Sequence, residues 1–274
     1  MTYLRYILWV TACLFCINIS LAQRSRIWKE QPGTWLLHAG AGITHYTGDL
    51  AQFGNLAHLQ LGGAFNLAAS YRASTRLSYR IEAQLYYIYA KQKYTRNYYN
   101  NLSFQSLNPD VWGGVQVDFW PIDDPYRATI PYALVGGGLT YMTPKAIYQG
   151  QSVSLAPLQT EGIGYNRLAG IVRYGLGIPL MATERFRVNL EGTYTHVLSD
   201  YLDDVSSFYR DKTGMSALGA ALADRRAELG TTLNLPGEIR GNTGKNDGYF
   251  VVMGRLVFVI ITPHQRSYRR MIGR

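Results

Sequence analysis

The sequence predicts an all-β fold, an eight-stranded antiparallel transmembrane β-barrel with long external loops. Eight segments of roughly ten residues alternate polar and apolar side chains, which is typical of strands with one apolar face. A secretory signal precedes them, and their connections are alternately short and long. Short turns at one end and long loops at the other are the arrangement of outer-membrane barrels.

The first element, residues 1–22, is expected to be a signal peptide that is removed on export. Arg5 supplies a positive charge, residues 6–19 are apolar, and residues 20–22 provide a small-x-small cleavage site. The apolar run is too short to cross a bilayer as a permanent helix. This segment indicates export and leaves residues 23–34 as a periplasmic segment before the first strand.

Both cysteines of the chain, Cys13 and Cys16, lie inside this signal. The exported domain would therefore contain no disulfide and must be stabilised by a large core or by a membrane. An alternative is that residues 10–13 form a lipoprotein cleavage box, which would make Cys13 a lipidation site.

Composition agrees with a membrane barrel and argues against membrane-spanning helices after the signal. The chain has 22 Tyr, 28 Gly and 16% charged residues, and no later segment of about 18 residues is continuously apolar. A barrel can be this polar because only alternate residues contact lipid. The net charge of +9 would suit nucleic acid, but export argues against that partner. Outer-membrane lipid and anionic lipopolysaccharide are the expected partners.

The third strand, residues 77–88, shows the alternation most clearly. Leu77, Ile81 and Leu85 lie on its apolar face, whereas Arg80 lies on the opposite, polar face. Strands of soluble sandwiches average about 5–6 residues, so most of these segments are long enough to favour a membrane-spanning barrel. The eight predicted strands are residues 35–46, 65–72, 77–88, 110–120, 132–141, 167–178, 186–196 and 249–260.

The polar faces of these strands would line the barrel interior. An eight-stranded lumen is just wide enough for side chains to fill it, and unpaired charges there would be costly, so opposite charges should pair. A plugged, structural lumen is therefore predicted, and an open pore is the alternative. The predicted lumen charges are Arg80, Glu82, Asp118, Arg167, Arg173, Arg187, Glu191 and Arg255.

Aromatic residues near the strand ends are expected to form girdles at the two membrane interfaces. The alternative is that Tyr and Trp simply favour strands. The residues assigned to the girdles are Trp35, Tyr46, Tyr71, Tyr87, Trp120, Tyr132 and Tyr141.

The lengths of the connections predict the orientation of the barrel. Long connections alternate with short ones, and short turns of outer-membrane barrels face the periplasm. Both termini are therefore expected in the periplasm, with the barrel at residues 35–262 and a basic periplasmic tail at 263–274. The long connections are residues 47–62, 89–108, 142–164 and 197–248, and the short ones are 73–76, 121–129 and 179–185.

The last long loop is predicted to contain a helix at residues 216–229. Leu218 and Leu222 would lie on one side of it, and Arg226 and Glu228 would face water. Gly230 is expected to end it. Such a helix would cap the barrel mouth or dock a partner.

The sequence contains no strong catalytic motif, and no enzyme activity, cofactor or metal is predicted. His196, Ser199 and Asp200 lie close together at the end of the seventh strand, and a lipid-modifying barrel enzyme would need such groups. Asp200, Asp203 and Asp204 form an acidic cluster of the kind that binds calcium, but not with a calcium-loop spacing. Polar residues at a strand–loop junction explain both groups more simply.

The loop residues, taken in order, resemble those of the PorG-like outer-membrane proteins of Bacteroidota. The resemblance consists of five short pieces and covers nearly the whole mature chain. The residues that carry it are Tyr46, Gly48, Asp49 and Leu50; Pro144 and Lys145; Thr160, Glu161 and Gly162; Asp200, Tyr201, Asp203 and Asp204; and Asn242, Asn246, Asp247 and Tyr249.

The resemblance implies an accessory, partner-binding barrel of the type nine protein secretion system, associated with its periplasmic ring proteins PorK and PorN. It implies a membrane anchor and not the transport pore or an enzyme. The basic tail departs from the usual barrel ending, because Phe258 lies inside the last strand and does not close it. A small porin or transporter and a lipid-modifying barrel enzyme are the alternative functions.

Overall fold

The computed structural model of this chain describes residues 30–51, 58–124, 126–127, 129–183 and 185–260. The expected signal peptide and the basic tail lie outside the described residues. Ten strands form one sheet: β1 (Trp35–Thr47), β2 (Leu61–Arg72), β3 (Leu77–Lys91), β4 (Ser103–Asp118), β5 (Tyr132–Tyr141), β6 (Lys145–Tyr148), β7 (Gln151–Ser154), β8 (Leu168–Ala182), β9 (Phe186–Val197) and β10 (Gly248–Ile260).

Eight of these strands close into a barrel, and the predicted fold class is confirmed. Each of β1, β2, β3, β4, β5, β8, β9 and β10 pairs antiparallel with the next, and β10 pairs with β1. The seam between the first and last strands runs from Trp35 opposite Ile260 to Thr47 opposite Gly248. Closure leaves none of the eight barrel strands as a free edge over its central length.

The third and fourth strands are longer than predicted, and the expected loop at 89–108 is wrong. β3 continues to Lys91 and β4 begins at Ser103, so the connection is only residues 92–102. The first half of β4 was not predicted because it contains Pro109, and proline cannot donate a hydrogen bond to a neighbouring strand. It is tolerated because β4 pairs with β5 only from Asp110 onwards. The two strands therefore project above the barrel as a ribbon.

A second hairpin, also not predicted, lies beside this ribbon. β6 and β7 pair with each other, and Lys145 of β6 pairs with Gln105 of β4. Gln149 and Gly150 connect them with positive φ values of 48° and 79°, as a two-residue type I′ turn requires. The third long loop is therefore partly sheet.

The predicted helix of the last loop forms in two pieces. The helix α1 (Ala217–Ala223) begins at Ser216, whose hydroxyl accepts a hydrogen bond from the Gly219 amide at 3.0 Å. Asp224 interrupts the helix with extended backbone, and a 3₁₀ helix follows until Gly230, at φ 67°. Among the described residues, no helix is long and apolar enough to cross a membrane.

The outward face of every barrel strand is apolar. One large aliphatic side chain on each strand illustrates this, and all eight are between 43% and 61% exposed. Water-soluble monomers rarely expose contiguous apolar surface of this extent. The eight residues are Leu37, Leu67, Ile81, Val111, Leu139, Leu176, Leu190 and Leu256.

Candidate functional site: the lumen network and the loop cap

Ten charged side chains fill the inside of the barrel, and we call them the lumen network. Five are arginines and five are acids, so the network is neutral as a set. Each is at most 5% exposed. Its members are Arg72, Arg80, Arg173, Arg187 and Arg255, with Glu30, Glu82, Asp110, Asp118 and Glu191.

Two glutamates hold the centre of the lumen network. Glu191 accepts hydrogen bonds from Arg80 at 2.9 Å and from Arg255 at 2.8 Å. Glu82 lies 2.8 Å from Arg255 and 3.1 Å from Arg173. Each carboxylate thus bridges two guanidinium groups from different strands, as the costly burial of charge requires.

The end of the barrel with the short turns is closed by Glu30, which precedes β1. Its carboxylate pairs with Arg72 at 2.5 Å and with Arg187 at 3.3 Å. Arg72 also pairs with Asp118. Gln116 links this group to the centre, because it donates to Asp118 at 3.1 Å and accepts from Arg80 at 2.7 Å.

Trp112 fills the lumen beside the network. Its side chain is 1% exposed and faces three inward glycines on β4 and β5. A Cβ atom on Gly114 or Gly136 would lie 2.5 Å or 2.6 Å from the indole ring. These glycines are therefore required by the close approach of the ring to the wall. The interior of an eight-stranded barrel is just wide enough for side chains to fill it, and Trp112 takes up part of that width.

The positions of the predicted lumen charges agree with the structure at seven of eight residues. Arg167 is the exception: it precedes β8, is partly exposed, and donates to the Met142 carbonyl at 2.8 Å. The strand was predicted to start one residue too early, which put Arg167 on the inward face. Sequence reasoning missed three members of the network, Arg72, Asp110 and Glu30.

The girdle prediction was wrong for two aromatic residues. Tyr46 and Tyr132 are each 1% exposed and point into the barrel. Tyr132 donates to Glu191 at 2.8 Å. Trp35 and Tyr71 do lie outside, with ring centroids 5.2 Å apart at the turn end.

The loops at the other end form a buried polar layer, which we call the loop cap. Its centre is Tyr46, whose hydroxyl oxygen lies 2.6 Å from Asp203 Oδ2 and 2.8 Å from Asp247 Oδ1. A phenol has one hydrogen and can donate to only one of them. Both contacts are satisfied only if the other carboxyl group is protonated and donates to the phenol oxygen. Burial raises the pKa of Asp203 and of Asp247 well above the ordinary value, and Asp247 raises that of Asp203 further.

Asp204 joins the third long loop to the last one. It accepts from Thr160 at 2.5 Å and from Tyr165 at 2.7 Å. Burial raises the pKa of Asp204 to about 6. The ring of Tyr165 stacks on Tyr201 with centroids 4.4 Å apart.

Glu161 is the second junction of the loop cap. It accepts from Arg240 at 2.9 Å, from the Ser206 amide at 2.9 Å and from the Ser207 hydroxyl at 2.6 Å. Burial alone would raise the pKa of Glu161, but Arg240 and these donors lower it below the ordinary value. Arg240 also donates to the Ala223 carbonyl at 3.2 Å, which ties α1 to the layer.

Asp49 connects the first long loop to the last. Its carboxylate accepts from the Asn242 amide at 2.6 Å. A Cβ atom on Gly48 would overlap Tyr46 and Asp247, so this position requires glycine. Leu50, 1% exposed, packs in the apolar layer beneath.

Most residues of the five resemblance pieces therefore meet in the loop cap. Tyr249 lies just below it and donates to Asp110 at 2.6 Å, which joins the loop cap to the lumen network. Gly162, at φ 70°, forms the turn after Glu161. Lys145 and Asn246 do not join: both are exposed, and Pro144 is buried next to β6.

The groups considered for catalysis and for calcium do not assemble. His196 lies on the outward phase of β9, with its ring 6.4 Å from that of Tyr194, whereas Asp200 is buried on the loop side. Burial raises the pKa of Asp200 to about 7. Asp203 and Asp204 bind different hydroxyl groups, as described above. Within the described ranges, no three His, Cys, Asp or Glu side chains are arranged to hold a metal ion.

Several outer-membrane barrels of known structure are similar to this chain, and no family model and no curated protein matches it. Neisserial surface protein A is 10% identical over 82% of this chain and 96% of its own, with a TM-score of 0.43. OprG from Pseudomonas aeruginosa is 12% identical over 85% and 98%, with a TM-score of 0.44. Ail of Yersinia pestis is 13% identical over 83% and 99%, with a TM-score of 0.38. At these values the similarities carry no argument about function, and the barrel is established by its own strand pairing.

Proposed function

We propose that this protein is an outer-membrane β-barrel that acts as a structural, partner-binding anchor and not as a pore or an enzyme. The observation that carries the proposal is the filled interior: ten buried charges pair with one another and Trp112 occupies the remaining width. The loop cap closes the mouth above them. A barrel built in this way offers its outer surfaces, not its lumen, for function.

The apolar exterior supports a location in the membrane. Every barrel strand presents large aliphatic side chains outward, and alternate residues that face lipid are the mark of transmembrane barrels. The two shortest connections between barrel strands, residues 73–76 and 183–185, lie at one end, and the two longest, residues 142–167 and 198–247, lie at the other. By the general rule for outer-membrane barrels, the turn end and both termini face the periplasm.

More specifically, the proposed function is an accessory role in type nine protein secretion, with PorK and PorN as periplasmic partners. It rests on the resemblance of the five loop pieces. Because most of those residues serve the loop cap, we place the partner surface at the opposite, turn end. There, Tyr126 is 95% exposed, and Arg127 lies over the ring of Trp120 at 3.8 Å.

The test is co-purification from gently solubilised outer membranes with a C-terminally tagged protein. Recovery of ring subunits is expected from the native protein and should fall with Tyr126→Ser. Tyr98→Ser is the matched control, since Tyr98 is 63% exposed at the loop end. Recovery of the barrel alone, together with normal export of secretion cargo in a deletion strain, would overturn the secretion role.

The two alternative functions are tested separately. Folded protein in planar bilayers is expected to show no ion conductance, and stable single-channel steps would establish a pore. Lipid A and phospholipid profiles are expected to be unchanged in a deletion strain, and a changed profile would favour a lipid-modifying enzyme.

A further inference from the structure

The ribbon of β3 and β4 carries a concave surface on its outward side, which we call the ribbon groove. The cavity measures about 510 Å³. It is lined by Tyr87, Tyr89 and Lys91 of β3, by Gln105 of β4, and by Lys93 and Arg225 beside these strands. The groove therefore combines aromatic rings, amide and hydroxyl groups, and lysines on one exposed face.

The position of the groove relative to the membrane follows from the strand that forms it. The outward column of β3 begins at Leu77 and is apolar up to Leu85. At about 3.3 Å per residue and a tilt of about 40°, the ten steps from Leu77 to Tyr87 rise about 25 Å, the height of the apolar band of such barrels. Lys91 stands about 10 Å higher by the same measure. The groove thus begins at the hydrocarbon boundary and ends at the level of the lipid head groups.

Arg225 forms the upper wall of the groove. The other cations that line it are Lys91 and Lys93, and the Lys93 ammonium lies 4.8 Å from the centre of the Tyr94 ring. Arg225 donates to Glu228 at 2.6 Å, to Ser103 at 2.8 Å and to the Ile147 carbonyl at 3.0 Å, so its charge is already paired. Lys91 is exposed at the end of β3. Lys145 lies on the same face of β6 as Ile147.

The lower wall suits a sugar. The rings of Tyr87 and Tyr89 lie 5.9 Å apart, and Tyr87 donates to Gln105 at 3.1 Å. Aromatic faces beside amide and hydroxyl groups bind the apolar faces and hydroxyl groups of saccharides, and ammonium groups bind phosphate.

We propose that the ribbon groove binds a phosphorylated glycolipid of the outer leaflet. The phosphate contacts Lys91 and Lys93, the saccharide rests on Tyr87 and Tyr89, and the acyl chains continue down the apolar column of β3. This inference rests on the proposed membrane location and adds a ligand site to it.

The experiment uses the folded full-length barrel in detergent, with bisphosphorylated lipid A, its dephosphorylated form, and inorganic phosphate as probes, and affinities from native mass spectrometry. Each basic side chain near an anionic lipid surface contributes about 1 kcal/mol, so the double variant Lys91→Gln/Lys93→Gln should bind phosphorylated lipid A about 30-fold more weakly. Arg76→Gln/Arg185→Gln is the charge-matched control, since both side chains are exposed at the turn end. This control should bind as the native protein does.

Equal affinity for the two forms of lipid A, or unchanged binding by the lysine variant, would overturn the site. Displacement of the lipid by inorganic phosphate at equal concentration would show a free-phosphate site and overturn the lipid as its ligand. Retention of the protein in liposomes after an alkaline wash is measured in parallel. Loss of the protein in that wash would overturn the membrane location itself, whereas retention without lipid A preference overturns only the ribbon groove.

Discussion

Replacing Glu191 with glutamine is expected to be among the most damaging single changes in the barrel. The carboxylate accepts from Arg80, Arg255 and Tyr132 at 2.8–2.9 Å and is 1% exposed. In Glu191→Gln, one oxygen becomes an NH₂ group that faces a donor, and the lumen network changes from five acids against five arginines to four against five.

The expected loss of stability follows from the arginine charge that stays buried without its partner. Removing one partner of a buried ion pair costs about 3–5 kcal/mol, because the remaining charge stays buried without compensation. Two charge-assisted hydrogen bonds of about 1.5–3 kcal/mol each sum to about 3–6 kcal/mol, which overlaps this range. We therefore expect the free energy of unfolding to fall by about 3–5 kcal/mol.

The assay is equilibrium unfolding in urea with detergent-folded protein, followed by tryptophan fluorescence. Asp124→Asn is the control, since its pair with Arg127 is partly exposed and should contribute about 0–1 kcal/mol. In addition, Glu191→Gln/Arg255→Gln should be less destabilised than the sum of its single changes, because neutrality is restored. A loss below about 1 kcal/mol for Glu191→Gln would refute the reasoning, since it would mean that water screens the lumen network.

Two further predictions concern the loop cap and the barrel wall. Because burial raises the pKa of Asp203 and Asp247, the folded protein binds more protons than the unfolded chain, so the loop cap should lose stability as pH rises from the unfolded towards the folded pKa values. Asp203→Asn imitates the protonated acid and should reduce the increase in protease cleavage of loop 198–247 between about pH 5 and pH 8, although Asp200 and Asp204, whose pKa values burial raises to about 7 and about 6, still titrate there; an unchanged increase would contradict the shared proton. Gly177→Ala should destabilise the barrel by about 1–3 kcal/mol in urea, because its Cβ would overlap the Tyr132 ring, whereas Gly192→Ala on the outward face should have little effect; equal effects would contradict the packing.

The barrel could be predicted from the sequence because its wall repeats one simple rule. Period-two alternation identified all eight strands, and β5 was predicted with the bounds it has. The rule fails where a strand leaves the membrane: Pro109 concealed half of β4, and the β6–β7 hairpin has no long alternating pattern. The prediction also failed at a strand end for Arg167, which has the phase of Arg173 but lies just before β8 and is only half-buried.

For the barrel interior, the sequence predicts which side chains of a single strand face inward, but not which side chains of other strands they contact. Alternation marked Glu82 and Glu191 as inward, but which arginines they meet depends on register and closure. Glu30 gave no signal, because it precedes the first strand and reaches the lumen by tertiary folding alone. The shared contact of Tyr46 with Asp203 and Asp247 joins residues separated by 157 and 201 positions, and no local pattern contains that information.

The distribution of the lumen charges along the chain has a consequence for assembly. Up to the end of β4 the network contains two arginines and four acids, and from β8 onwards three arginines and one acid, so the halves carry opposite net charges of two units. Arg80 and Glu191, for example, are 111 residues apart. A half-inserted barrel would hold uncompensated charge in the bilayer, at a cost that neighbouring strands cannot relieve. Hairpin-by-hairpin entry is therefore disfavoured, and the chain is expected to cross the membrane in one concerted step, after its two halves have met.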